Sequence, residues 1–214
     1  WLHRGDVDGR PIKLNDISVG PDGSLYGGSG HLDSCSLFRF KPDGSTEIID
    51  DGLDLCNGMG FSPDLTTFYS TDSPKHEIYK WDHNPTTGSI TNKQVFTTIP
   101  DNWGIPDGMT VDAEGFVWSA IWYGGMVVRF DPDGKEERRV EIPAAQTSSA
   151  MFGGTELNEL YVTTANFGTG DPERSGWEPE GFDMNTYRGG DLYRVKLDIQ
   201  GKAEFVTDFT VSSS

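Results

Sequence analysis

The sequence predicts an all-β protein, a β-propeller built from four-stranded blades. Three observations lead there. The 214-residue chain holds 27 Gly and 12 Pro, together well above the roughly 12% of an average protein, so turns are over-represented. Two hairpin patterns recur four times in a fixed order. Within them apolar and polar residues alternate, the period of a strand with one exposed face.

The first pattern is a polar residue, a short strand, a turn and a second strand. It occurs at 15–26, 57–69, 107–118 and 148–162. Its turns are Pro21-Asp22-Gly23, Pro63-Asp64-Leu65, Ala113-Glu114-Gly115 and Leu157-Asn158-Glu159. Pro and Asp preset such turns and Gly supplies the positive φ. The second pattern follows at 37–44, 78–88, 127–134 and 192–201, with Leu37-Phe38-Arg39-Phe40 and Val127-Val128-Arg129-Phe130 as its clearest examples. A final strand leaves each turn, as at 45–49 and 136–142. The units start at 15, 57, 107 and 148, spacings of 42, 50 and 41 residues. A four-stranded repeat of that length is a propeller blade. A β-sandwich would also give many short strands, but not two distinct hairpins in fixed order.

Composition narrows the function. Seventeen Lys and Arg face 34 Asp and Glu, a net charge of -17. With no basic block, nucleic acid is excluded as a partner, because phosphate contacts need clustered cations. No apolar run approaches the ~20 residues of a membrane span. The 6 Trp, 7 Tyr and 12 Phe are spread along the chain, which excludes a disordered acidic tail. Cys35 and Cys56 are the only cysteines, too few for a disulfide scaffold or a Cys-rich zinc module. Two reduced buried thiols are expected, with one bridge as the alternative. The low Cys count points to the cytoplasm.

In a propeller the innermost strand of each blade lines the central channel, so equivalent polar residues converge on the axis. Asn15, Asn57, Asp107 and Ser148 hold that place. Amide and carboxylate oxygens meeting there suit a hard divalent cation. The alternative is that these residues simply start strands and cap turns.

The motifs Leu14-Asn15-Asp16, Asn57-Gly58-Met59 with Phe61-Ser62-Pro63-Asp64, Ile105-Pro106-Asp107-Gly108-Met109, Trp118-Ser119-Ala120 with Tyr123-Gly124-Gly125, Thr147-Ser148-Ser149 with Phe152-Gly153-Gly154, and Gly189-Gly190-Asp191-Leu192-Tyr193 together resemble the SMP-30/gluconolactonase/regucalcin-like family. The match runs from about Lys13 to about Asp208. The resemblance implies a six-bladed propeller with one divalent ion at the channel mouth, held by a Glu of the first blade, an Asn and an Asp. Asn57 and Asp107 match the Asn and the Asp, and Asn15 matches a second Asn near ion and substrate. Lys13 stands where many members carry a substrate-binding Arg. It keeps the charge but loses the planar two-point donor. Asp33 falls on a loop where members contact substrate. Only four blades are present, so residues 1–214 are expected to be a single propeller domain whose first two blades, with the metal-ligating Glu, lie outside this sequence. A genuine four-bladed ring is the alternative.

The activity implied is metal-dependent opening of a sugar lactone. The cation would polarise the carbonyl and acidify a water, with Asp107 as the group that accepts or positions the proton. Asn15 and Lys13 would bind the sugar. Calcium is the expected ion, with zinc, magnesium, manganese and iron as alternatives. A calcium-binding or interaction propeller without turnover and a related phosphotriesterase are the competing functions. The oligomeric state is left open by the sequence.

Other features carry less. His3, His31, His76 and His83 are scattered without metal spacing. Gly27-Gly28-Ser29-Gly30 precedes a strand pattern rather than a helix, so a phosphate loop fails on context. No Gly-x-Ser-x-Gly elbow is present, against a serine hydrolase. The segment 167–189 has no strand pattern, and its Trp177 either stacks on a sugar as part of a lid or packs the loop onto the propeller.

Overall fold

The computed structural model describes residues 6, 7, 10–29, 35–166, 177–181, 183 and 189–207. Asp33 and His31 lie outside the described residues, as does most of the 167–189 segment.

A short ladder of β1 (Asp6–Val7) and β2 (Arg10–Pro11) precedes the repeats. Blade I is β3 (Leu14–Val19), β4 (Leu25–Ser29), β5 (Cys35–Phe40) and β6 (Thr46–Leu53), paired in that order. Blade II is β7 (Cys56–Phe61), β8 (Thr67–Asp72), β9 (Glu77–His83) and β10 (Ile90–Thr98). Blade III is β11 (Ile105–Val111), β12 (Val117–Trp122), β13 (Met126–Phe130) and β14 (Glu136–Glu141). Blade IV is β15 (Gln146–Gly153), β16 (Glu159–Ala165) and β17 (Leu192–Lys196), joined to blade III by the single pair Trp122–Gln146. Among the described strands every ladder is antiparallel and joins sequence neighbours apart from that junction. The first strands lie side by side in chain order, β3 on β7, β7 on β11 and β11 on β15.

The blade starts fall within two residues of the repeat starts read from the sequence. The turns behave as their residues require: Gly23, Gly44, Gly115 and Gly134 all take positive φ. Where glycine is replaced the geometry persists, with Leu65 at φ 62°. In the fourth unit the turn falls at Thr155-Glu156-Leu157, two residues before the expected Leu157-Asn158-Glu159, and Leu157 takes φ 50° while Glu159 already opens a strand.

Among the described residues the fourth unit shows three strands rather than the expected four. Residues 202–207 do not pair with β17. Buried Ile199 anchors the preceding turn beside Trp118 and Phe152, and Gly201 bridges to Asp112. The chain is thereby directed beneath the inner strands, where Phe205 meets Phe61 edge-on at 6.1 Å.

The core sits between blades. Tyr26, Leu37 and Leu53 of blade I meet Met59, Phe61, Phe68 and Trp81 of blade II. Tyr69, Ile78 and Phe96 meet Met109, Val111, Val117 and Phe130 across the next junction. Trp118, Val127 and Ile142 meet Phe152, Leu160 and Val162 across the last. Residues of β4, β5, β8 and β12 are buried on both faces almost throughout, as the middle strands of stacked sheets must be. Cys35 and Cys56 are buried in the first of these junctions and are not joined by a disulfide, in line with the reading of two reduced, buried cysteines.

Candidate functional site

The four inner strands share an irregularity at the same height. The ladder slips between Leu14 and Asp16 in β3, Asn57 and Met59 in β7, Pro106 and Met109 in β11, and Thr147 and Ser149 in β15. Such bulges re-aim a side chain that a regular strand would alternate away. Asn15, Asn57, Asp107 and Ser148 sit at these four slips, and all four line one cavity of about 330 Å³. The repeat-equivalent residues therefore do converge.

Glycine after the polar residue makes the convergence feasible. A Cβ on Gly58 would stand 2.5 Å from the Met109 nitrogen and 2.7 Å from the Asp107 carbonyl oxygen. A Cβ on Gly108 would meet Ser149 Cβ at 2.6 Å and the Ser148 carbonyl oxygen at 2.8 Å. The Asn-Gly-Met and Asp-Gly-Met triplets are thus one device: a polar residue at the cavity, a glycine that lets the next blade approach, and a methionine buried in the core.

Asn57 is buried, at 6% exposure. Its Oδ1 accepts a hydrogen bond from Asn15 Nδ2 at 2.6 Å, and its Nδ2 donates to Ser73 Oγ at 2.7 Å. Asn15 Nδ2 also donates to the Cys56 carbonyl at 3.2 Å. Asp107 is half-buried between Pro106 and Gly108. Behind them Asp72, fully buried, accepts from the Asp54 and Leu55 amides and from Lys75 Nζ. That clamp fixes the turn from which β7 starts.

The opposite wall is apolar. Ile105, Trp122, Ala165 and Trp177 line it, and Trp177 packs on the cluster of Ile105, Trp122 and Tyr123. Trp177 therefore both lines the cavity and packs on that apolar cluster. Lys13 is exposed, one residue before β3, and does not line the cavity.

The sequence reading missed Asp16, which lines the cavity beside Asn15. Burial raises its carboxyl pKa, against a smaller lowering by the Ile17 amide. An acidic residue inside an apolar alternation was the available signal. Cys56 lies close by. Burial first, then the charges of Asp16 and Asp72, pushes its thiol well up, so it is a packing residue rather than a nucleophile.

Among the described residues no three His, Cys, Asp or Glu side chains gather as a metal-binding group. The cavity is instead lined by Asn57 and Asp107, an amide and a carboxylate with oxygen donors on adjacent strands, with neither Cys nor His among its lining. That all-oxygen set fits a hard divalent cation that keeps water in its remaining positions. Among the described residues no helix is long and apolar enough to cross a membrane.

Stacked antiparallel blades whose inner strands bring four polar residues to one cavity define the class: a propeller. Comparison with known proteins gives the family. Residues 2–166 match the family described as SMP-30/Gluconolactonase/LRE-like region. The chain is 37% identical to pentonolactonase XacC of Haloferax volcanii, over 92% of this chain and 67% of the relative. It is 32% identical to regucalcin of Homo sapiens, over 94% and 68%. A solved structure described as a calcium-binding protein, regucalcin, from Agrobacterium tumefaciens superimposes with a TM-score of 0.80 at 26% identity, over 92% of this chain and 65% of that one. The chain belongs to the SMP-30/gluconolactonase/LRE-like family, and it spans about two thirds of the length of these relatives.

Proposed function

We propose that this chain carries the cation-assisted, lactone-opening centre of a sugar lactonase. The observation that carries the reading is that Asn57 and Asp107 line one cavity at the bulged ends of adjacent inner strands. The names pentonolactonase and calcium-binding regucalcin among its relatives support it.

Asn57 and Asp107 would hold the divalent cation, calcium before the alternatives. When bound, such a cation supplies Lewis acidity to an ester carbonyl and to a water. Asp107 accepts the proton that the attacking water loses. Asn57 is neutral, so it adds an oxygen ligand without a second negative charge. Asn15 Nδ2 orients Asn57, its two protons going to Asn57 Oδ1 and the Cys56 carbonyl, and Asn15 Oδ1 is the atom that accepts from a sugar hydroxyl. Trp122 and Trp177 cover the apolar face of the ring and exclude bulk water. Lys13, exposed at the start of β3, is assigned to the hydroxyls or the product carboxylate at the rim. The cavity lies at the lower end of the size range of about 300–1,000 Å³ for ligand sites, which suits a monosaccharide-sized substrate. The 1–214 segment is taken as one propeller domain, and the third metal ligand is assigned to the part of the fold that the longer relatives add.

The test is a pH-indicator assay with pentono- and hexonolactones, with and without added calcium, zinc, magnesium or manganese. The reading predicts metal-stimulated turnover that Asp107→Ala removes. Full turnover in that variant contradicts it.

A further inference from the structure

An amide can face a site with its oxygen or its nitrogen, and only the oxygen ligates a cation or accepts a hydrogen bond from a sugar. In this fold the choice is made one layer behind Asn57. Ser73 follows β8, opens the 3-10 turn Ser73–Lys75, and is fully buried. Its Oγ donates to the Pro106 carbonyl at 2.5 Å. A carbonyl oxygen only accepts, so the single hydroxyl proton is committed there. What remains on Oγ is acceptor capacity, and the partner at 2.7 Å must donate, which makes it Asn57 Nδ2. Oδ1 is thereby turned to the other side, where Asn15 Nδ2 donates to it. The Ser73 backbone is itself fixed, its amide donating to the Leu55 carbonyl and its neighbour Asp72 holding the Asp54–Leu55 turn.

We propose that Ser73 is a positioning residue that turns Asn57 Oδ1 toward the cavity and ties that orientation to the backbone immediately before Asp107. One hydroxyl therefore couples the two proposed cation ligands, which lie on different blades. The inference rests on the reading that Asn57 and Asp107 hold the cation.

The test uses the full chain and calcium alone, titrated by calorimetry, with thermal unfolding as the check on folding. Ser73→Ala is expected to weaken calcium binding about 10–100-fold, the usual cost of losing a partner behind a ligand. Ser73→Thr, which keeps the hydroxyl, should bind within about 3-fold of wild type. Asn57→Asp has no nitrogen to misplace, so adding Ser73→Ala to it should cost less than about 3-fold. If Ser73→Ala fails to fold, Ser73→Cys, a weak donor of similar volume, replaces it in the same comparison. A second readout needs no cation: the Asn57 side-chain NH2 protons should exchange at least about 10-fold faster in Ser73→Ala than in wild type. Unchanged exchange, or an equal loss of binding in the Asn57→Asp background, overturns the proposal. Faster exchange together with undiminished calcium binding by Asn57→Ala overturns the site reading instead, while the orientation role stands.

Discussion

Along each inner strand two regions differ sharply. At the mouth stand Asn15, Asn57, Asp107 and Ser148, and every ladder slips there. A few residues farther along β7 and β11 stand Met59, Phe61, Met109 and Val111, in regular register and buried in the inter-blade cores. A second cavity of about 260 Å³ lies at that end, roofed by Lys202, Glu204 and Phe205. Asp16 and Ser149 line both cavities. The same strand thus carries the proposed site at one end and cohesion at the other, and the bulge is the border between them. Substitutions above the border should cost function at nearly constant stability, and substitutions below it should do the reverse.

The largest separation is expected for Asp107→Ala. Loss of a proton acceptor costs about 10²–10⁴-fold in rate, so steady-state kinetics should show turnover falling at least about 100-fold, with the unfolding midpoint nearly unchanged. A large fall in that midpoint would mean that the mouth also holds the fold together. Below the border, Phe61→Ala removes a ring at 1% exposure that contacts Tyr26, Phe68 and Phe205. Truncating a buried Phe costs about 3–5 kcal/mol, readable by urea denaturation, and the folded fraction should keep its specific activity. Trp177→Ala should raise KM about 10-fold and leave kcat within about 2-fold, because it removes apolar wall rather than reacting groups.

The smallest expected effect concerns Asp16, on the border itself. Burial raises its pKa in the folded state. Between the unfolded and the folded pKa the native protein binds the extra proton, so the stability this group contributes is full below the ordinary carboxylate value and is lost as pH rises. Asp16→Asn mimics the protonated form. Its stability relative to wild type, measured by urea denaturation, should therefore rise between about pH 3.5 and pH 7, by an amount on the order of 1 kcal/mol. An equal difference at both values would place Asp16 in solvent.

Most of the lower region was legible in the sequence, because it depends on periodicity and turn chemistry. Strands alternate, and Pro-Asp-Gly turns recur, so blade starts were recovered to within two residues. The convergence of Asn15, Asn57, Asp107 and Ser148 was legible too, since equivalent positions on the inner strands of neighbouring blades lie side by side. What was not legible depends on atoms from distant segments. Ser73 acts through the carbonyl of a residue 33 positions away, and no local pattern marks a serine whose proton is already committed. The path of residues 202–207 also escaped, because a strand-like composition does not say which edge it will meet once Ile199 and Gly201 have turned the chain.

The central claim, that Asn57 and Asp107 together form a cation site that the lower strand ends do not share, is tested most directly by calcium titration calorimetry of wild type, Asp107→Ala and Phe61→Ala at a temperature where all three are folded. Binding should be present in wild type and in Phe61→Ala and absent in Asp107→Ala. Equal binding by Asp107→Ala and wild type would contradict the account.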